Sequence, residues 1–246
     1  MDMDRAERPV ALVTGSTSGI GEAVARRLAA DGMRVVVHSR RSTRAGEALA
    51  AELGGTYLRA DLAVEDEARG LAEAALDRYG RLDVLVNNAG ISRPIPHHDL
   101  AAAAPAEWRE VLEVNLIAPW VLCTAALPAL REAPGGGSVV NITSHAGVRP
   151  KGSSVPYAAS KAALNHVTRL LAAALAPGVR VNAVAPGLVD TPMTEDWADA
   201  QRLWRERAPM RRPARPADVA DLVASLVAHG YLTGEVIMLD GGLNLT

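Results

Sequence analysis

Tyr157 and Lys161 bracket the run Tyr-Ala-Ala-Ser-Lys. Residues four apart on a helix share a face, so both side chains point into one site. A free phenol has a pKa of about 10 and exchanges protons poorly at neutral pH. A neighbouring ammonium favours the phenolate and lowers that value. A shift of about three units needs roughly 4 kcal/mol of differential stabilisation. Tyr157 so tuned can act as general acid for ketone reduction, or as base for alcohol oxidation. Ser144 lies two residues past a β-branched run, where sites form on parallel sheets. Its hydroxyl can bond a substrate carbonyl and stabilise the negative charge that develops there. His145 follows directly, but neighbours in a strand or turn point apart, and no Gly-x-Ser-x-Gly elbow is present. His145 and the pair His97-His98 are therefore expected in solvated loops, and no metal site is expected.

A second constellation is Thr14-Gly15-Ser16-Thr17-Ser18-Gly19-Ile20-Gly21. Glycines permit a tight turn and a close approach of pyrophosphate to the backbone, and the following helix N-terminus offers free N–H groups. The run Val37-His38-Ser39-Arg40-Arg41 begins the region where a carboxylate would bind the ribose 2′-hydroxyl of NAD. No acidic residue stands there. Arginine forks onto a 2′-phosphate, so the expected cofactor is NADP(H), gripped by Ser39 and Arg40 with Arg41 in reserve. NAD(H) is the alternative.

The elements that must position these groups alternate along the chain. Residues 10–14, 34–38, 82–87, 138–142, 179–184 and 236–239 read as strands, with 56–59 a weaker one. They are apolar nearly throughout, as in a parallel sheet covered on both faces. Helices are expected over 20–30, 43–53, 65–79, 106–130, 157–176 and 217–228, which gives an α/β doubly wound fold in a single domain, 1–246. The 246 residues carry a formal net charge of −2. That argues against a surface built for nucleic acid or an anionic membrane. Aromatics are 3% with no Phe, which disfavours a stacking platform for single strands. The single cysteine, Cys123, cannot form an intrachain disulfide and fits a reducing, cytoplasmic setting. The apolar stretch 116–130 is broken by Pro119, Thr124 and Pro128 and is shorter than a membrane span needs.

Taken together, Thr14-Gly15-x-x-x-Gly19-Ile20-Gly21, Asn87-Asn88-Ala89-Gly90, Asn115, Ser144, Tyr157-x-x-x-Lys161, Pro186-Gly187 and Asp240-Gly241-Gly242 resemble the short-chain dehydrogenase/reductase family, in its order and over nearly the whole chain. Within it the chain is most similar to 3-oxoacyl-[acyl-carrier-protein] reductases. The resemblance implies a seven-stranded Rossmann-like sheet, a nicotinamide cofactor and a catalytic set of Asn115, Ser144, Tyr157 and Lys161. Ser144 would orient the carbonyl, Tyr157 donate the proton, Lys161 bind the nicotinamide ribose and Asn115 hold a water in a proton relay. The cofactor would touch Gly15, Thr17, Ser18, Gly19, Ile20 and Gly21. Asp61 and Leu62 would flank its adenine, and Asn88, Ala89 and Gly90 would line it. Pro186, Gly187, Val189 and Thr191 would close around its carboxamide. One departure is Ser18, where NADP-using relatives often carry a basic residue. The family also suggests a homotetramer, which fits apolar residues on more than one face of 106–130 and 157–176.

Residues 188–215 are expected as a substrate lid, helical over 194–208 with Thr194 as its cap. Trp197, Ala200 and Trp204 would share a face over a bulky substrate. Other carbonyl-facing positions would be Ile91, Ser92, Arg93, His145, Val148, Val155 and Leu188. Six arginines between 202 and 215, against Glu206 alone, read as a solvated face or as a dock for an acyl carrier protein. Three functions follow: an NADPH-dependent reductase of a 3-oxoacyl thioester or biosynthetic ketone; a dehydrogenase of a sugar, polyol or polycyclic alcohol; or a cofactor-binding sensor or scaffold without turnover.

Overall fold

The computed structural model describes residues 8–246. Seven short strands form one parallel sheet: β1 (Val10–Val13), β2 (Arg34–Ser39), β3 (Thr56–Arg59), β4 (Val84–Asn87), β5 (Gly137–Ile142), β6 (Val179–Pro186) and β7 (Val236–Leu239). Their order is β3-β2-β1-β4-β5-β6-β7. Val10, Leu12 and Val36 face one core, while Ala11, Val13, Val35 and Val37 face another, so alternate residues of one strand are buried on opposite sides. That is why the strands read as continuous apolar runs rather than alternating ones.

Helices α1 (Gly19–Ala30), α2 (Thr43–Leu53) and α8 (Pro216–Ala228) cover one side through Val24, Leu28, Leu49 and Val223. Helices α3 (Glu65–Tyr79), α5 (Ala118–Arg131) and α6 (Val155–Leu175) cover the other through Leu71, Leu122, Leu130 and Ala172. The chain reverses its winding between β1 and β4, the switch point where ligands bind at the carboxyl ends of the strands.

Two helices differ from the sequence reading. The span 106–130 is α4 (Pro105–Leu112), a π-helical turn (Glu113–Ile117) and α5. Asn115 sits in the π turn, and Pro119 follows it inside the continuous helical run. The joined run Pro105–Arg131 is 27 residues long, enough to cross a membrane, but half of its apolar window is buried inside this fold as a core helix. Helix α7 is Ala198–Arg207, not 194–208. Thr194 does not cap it, because its hydroxyl donates to Val189 O, 2.5 Å away, and closes the preceding loop.

Candidate active site

A cavity of about 1070 Å³ opens at the carboxyl ends of the strands. Every expected cofactor contact lines it: Gly15, Thr17, Ser18, Gly19, Ile20 and Gly21 from the first loop; Ser39, Arg40 and Arg41 after β2; Asp61 and Leu62 after β3; Asn88, Ala89 and Gly90 after β4; and Pro186, Gly187, Val189 and Thr191 after β6. The first loop is tied across the switch point. Thr14 Oγ1 accepts from the N–H groups of Asn88 and Ala89, both at 3.0 Å, and Asn88 Nδ2 donates to Thr14 O at 2.8 Å. A Cβ on Gly21 would lie 2.3 Å from Gly15 O. Gly15 has φ +62°, in the left-handed region that glycine adopts without strain. The N-cap of α1, Ser18, leaves the helix N–H groups without a side-chain cap. Backbone of this shape at a helix N-terminus fits a pyrophosphate.

Past β2 the picture is mixed. Ser39 is buried, its hydroxyl within 3.0 Å of the Tyr57 hydroxyl and accepting from Ser42 N at 3.1 Å, so that oxygen is engaged inside the protein. Arg40 and Arg41 are exposed at the rim, and Arg40 stands 3.9 Å from Asp61.

The reacting groups meet across the cavity from the glycine loop. Ser144 caps the short turn His145–Gly147, accepting from Ala146 N at 3.1 Å, and lines the cavity together with Tyr157. Tyr157 stands in the first turn of α6, whose N-cap Ser154 accepts from Tyr157 N. Lys161, one turn on, is buried and donates from Nζ to Ile142 O at 2.9 Å. Its ammonium lies 5.9 Å from the centre of the Tyr157 ring. Burial holds the Tyr157 phenol above its ordinary range, and the Ser144 hydroxyl pulls the other way. The net lowering expected from Lys161 together with a bound nicotinamide is absent in the protein without the cofactor. In the protein alone desolvation wins, and burial also pushes the Lys161 ammonium down to about 8.

Asn115 is not at the cavity wall. It is fully buried; Oδ1 accepts from Ile91 N at 2.8 Å, and Nδ2 donates to Ile91 O at 3.0 Å and to Ser160 Oγ at 3.1 Å. Its side chain is thus fully engaged. A Cβ on Gly90 would come within 3.2 Å of Asn115 Oδ1 and 3.4 Å of Lys161 Nζ, so a side chain at this position would crowd both.

His145 is buried, not solvated. Its Nε2 lies 3.6 Å from Asp240 Oδ2, and its ring meets Trp204 edge-on at 6.1 Å. Burial lowers its pKa, which the field of Asp240 partly offsets. Ile91, Ser92, His145 and Leu188 line the cavity; Arg93, Val148 and Val155 do not. Arg93 is drawn away by Glu107 and Glu110, at 2.6 and 2.7 Å. At and within α7, Trp197, Ala200, Leu203 and Trp204 complete the wall. Leu203 and His38 were missed by the sequence reading, since nothing local marks a leucine or a strand histidine as wall residues. Among the described residues no group of His, Cys, Asp or Glu could hold a metal, and Cys123 is buried, its thiol pushed up to about 11.

The cradle fits a nicotinamide dinucleotide: a tight glycine loop at a helix N-terminus, a second half-site past β2 and β3, and an acid and a cation beside the far end. Comparison with known proteins agrees. Residues 15–244 match the family described as Enoyl-(Acyl carrier protein) reductase. The chain is 54% identical over the full length of both to a candidate ketoacyl reductase (number 2) of the granaticin polyketide synthase of Streptomyces violaceoruber. It is 40% identical to a 3-oxoacyl-[acyl-carrier-protein] reductase of Synechocystis, covering 95% of this chain and 96% of that one. A 3-ketoacyl-(acyl-carrier-protein) reductase from Brucella melitensis, solved with NADH, superposes with a TM-score of 0.88 at 32% identity, covering 96% of this chain and 98% of that one. With the parallel seven-stranded sheet and the Ser144, Tyr157 and Lys161 arrangement, these likenesses place the chain in the short-chain dehydrogenase/reductase family, as an NAD(P)H-dependent oxidoreductase acting between a carbonyl and its alcohol.

Proposed function

We propose that this enzyme reduces the ketone of a 3-oxoacyl thioester or related biosynthetic intermediate with NADPH. The observation that carries the reading is that Ser144, Tyr157 and Lys161 share one cavity wall, with Lys161 one helical turn behind Tyr157 and 5.9 Å from its ring centre. Bound in the cradle, the reduced nicotinamide supplies a hydride to the carbonyl carbon. Ser144 holds the carbonyl oxygen and Tyr157 gives it a proton, so the developing alkoxide is neutralised where it forms. Lys161 is in place to hold the nicotinamide ribose and to favour charge on the Tyr157 oxygen. Asn115, its side chain committed, would serve a water relay only through its main chain in the π turn.

NADPH is favoured by Arg40 and Arg41 at the rim, with no carboxylate on the β2 end. The substrate class is supported by the granaticin and Synechocystis relatives and by a wall of Trp197, Leu203, Trp204 and Leu188 that suits a bulky acyl or cyclised ketone. A second reading, oxidation of a cyclic alcohol or sugar, is favoured by 40% identity to a cis-4-hydroxycyclohexanecarboxylate dehydrogenase of Sinomonas cyclohexanicum, covering 96% of each chain. Residues 188–215 act as the lid. An acyl carrier protein would meet Arg205 and Arg207, which carry no carboxylate partner among the described residues; Arg202 and Arg212 are paired with Asp199 and Asp218. The enzyme works in the cytoplasm as a homotetramer.

The test is a panel of 3-oxoacyl thioesters, cyclic ketones, polyols and sugars, assayed by nicotinamide absorbance with NADPH and NADH. A thioester or cyclic ketone turned over with NADPH at the highest kcat/KM supports the proposal. Preference for a polyol or sugar, or for NADH, overturns that part of it. Equal and salt-insensitive efficiency on carrier-bound and simple ketones removes the carrier protein.

A further inference from the structure

His38, the last residue but one of β2, is 2% exposed, yet both its ring nitrogens have partners. Gly15 N–H lies 3.1 Å from Nδ1, and Ala60 O lies 3.1 Å from Nε2. An amide N–H can only donate and a carbonyl can only accept. The ring must therefore be neutral, with its lone pair toward Gly15 and its proton toward Ala60. The backbone locks the same residue to the loop: His38 N donates to Ser16 Oγ at 2.9 Å, and Ser16 N donates to His38 O at 2.9 Å. Gly15 is the first glycine of the pyrophosphate cradle, and the Ala60 carbonyl precedes Asp61 and Leu62 at the adenine end.

We propose that His38 is a positioning residue for the dinucleotide: its neutral imidazole braces the pyrophosphate loop against the adenine wall, and its protonation loosens cofactor binding. An imidazolium would aim a second N–H at the Gly15 N–H, so the braced loop and the charged ring exclude each other. Burial acts in the same direction and lowers the His38 pKa, against the Ala60 bond and the field of Asp61. The other charged groups around it are Arg40, 3.9 Å from Asp61, and Glu67, which accepts from Asp61 N at 2.7 Å; β1 and the glycine loop offer no titratable group. A group held neutral in the bound state makes binding strongest above its pKa and weaker as pH falls through it. The inference rests on the family's dinucleotide binding and not on the substrate assignment.

Calorimetric titration of NAD+ and NADP+ from pH 5 to 8 tests it, with NAD+ as the arm free of the 2′-phosphate's own titration. In the wild type, NAD+ affinity is flat above neutral pH and falls in acid by up to about tenfold per pH unit, the limit for one proton. His38→Asn keeps an acceptor near the Nδ1 position without titrating. It keeps the Gly15 bond but gives up the one to Ala60, so it should lose a few-fold in affinity at pH 7.5 and lose the acid limb altogether. His38→Leu leaves the Gly15 N–H unsatisfied and should weaken both cofactors about tenfold at pH 7.5. An acid limb retained in His38→Asn, or wild-type affinity in a folded His38→Leu, overturns the proposal. Should His38→Leu fail to fold, the comparison of wild type with His38→Asn decides alone.

Discussion

At Tyr157 two effects oppose each other, and their balance sets the pH behaviour. Burial favours the phenol and the Ser144 hydroxyl favours the phenolate; the first is larger, so the group titrates above its ordinary range. Ketone reduction needs the phenol and should keep its rate from neutral into alkaline pH. Alcohol oxidation needs the phenolate and should rise over the same interval. Lys161→Met removes the nearby cation, raises the phenol pKa further and should move the oxidation limb to higher pH. A limb that stays put removes Lys161 from the tuning role. Tyr157→Phe should lower kcat by about a hundred- to ten-thousand-fold, the range of general acid catalysis, while leaving NADPH affinity nearly unchanged. An unaffected rate would take the acid role from Tyr157. Arg40→Asp places a carboxylate beside a 2′-phosphate and should raise the NADPH KM far more than the NADH KM. Equal effects on both would defeat the NADP assignment.

Among the elements, the π turn Glu113–Ile117 shows what a sequence hides. Nothing local separates Glu-Val-Asn-Leu-Ile from α-helix; its place in the fold goes with the bonds from Asn115 to Ile91, 24 residues away. Asn115→Ala strips both Ile91 backbone groups of their partners and should cost about 2–4 kcal/mol in urea unfolding. The strands were legible because burial on both faces leaves them uniformly apolar, and the glycine loop because only that residue type meets its backbone demands. Thr194 looked like a cap because Thr precedes two acids, but Val189 O competed successfully for its hydroxyl. His145 looked solvated because adjacency to Ser144 was the only local information; Asp240 and Trp204 arrive from distant parts of the chain. Helix α7 packs closely on the end of β6, since a Cβ on Gly187 would lie 2.8 Å from Trp204 Cζ2. Trp204→Ala should therefore raise KM for a bulky ketone about tenfold, the scale of a few lost apolar contacts, and leave cofactor affinity unchanged. A small ketone affected equally would place Trp204 outside substrate recognition.

For the molecule as a whole, the question is what covers the outer faces of α5 and α6. Both helices lie on one side of the sheet, and their inner residues, such as Leu122 and Ala172, complete a core. Their outer residues include Trp120 at 48% exposure and Leu170 at 56%, with Ile117 beside them in the π turn. A tryptophan is a costly residue to leave in water and a common anchor of subunit contacts. Charge offers no barrier to self-association, since the chain carries a formal net charge of only −2. The proposed tetramer would place these faces against copies of themselves in isologous contacts. Light scattering at micromolar concentration should then give a mass near four times 25.8 kDa. The melting temperature should rise with protein concentration, because association stabilises the folded state by mass action. Introducing Trp120→Asp and Leu170→Asp together buries unpaired charge at each contact and should yield smaller species that still bind NADPH, since neither residue lines the cavity. A wild-type monomer at that concentration would leave these apolar faces without the assigned cover and end the tetramer proposal.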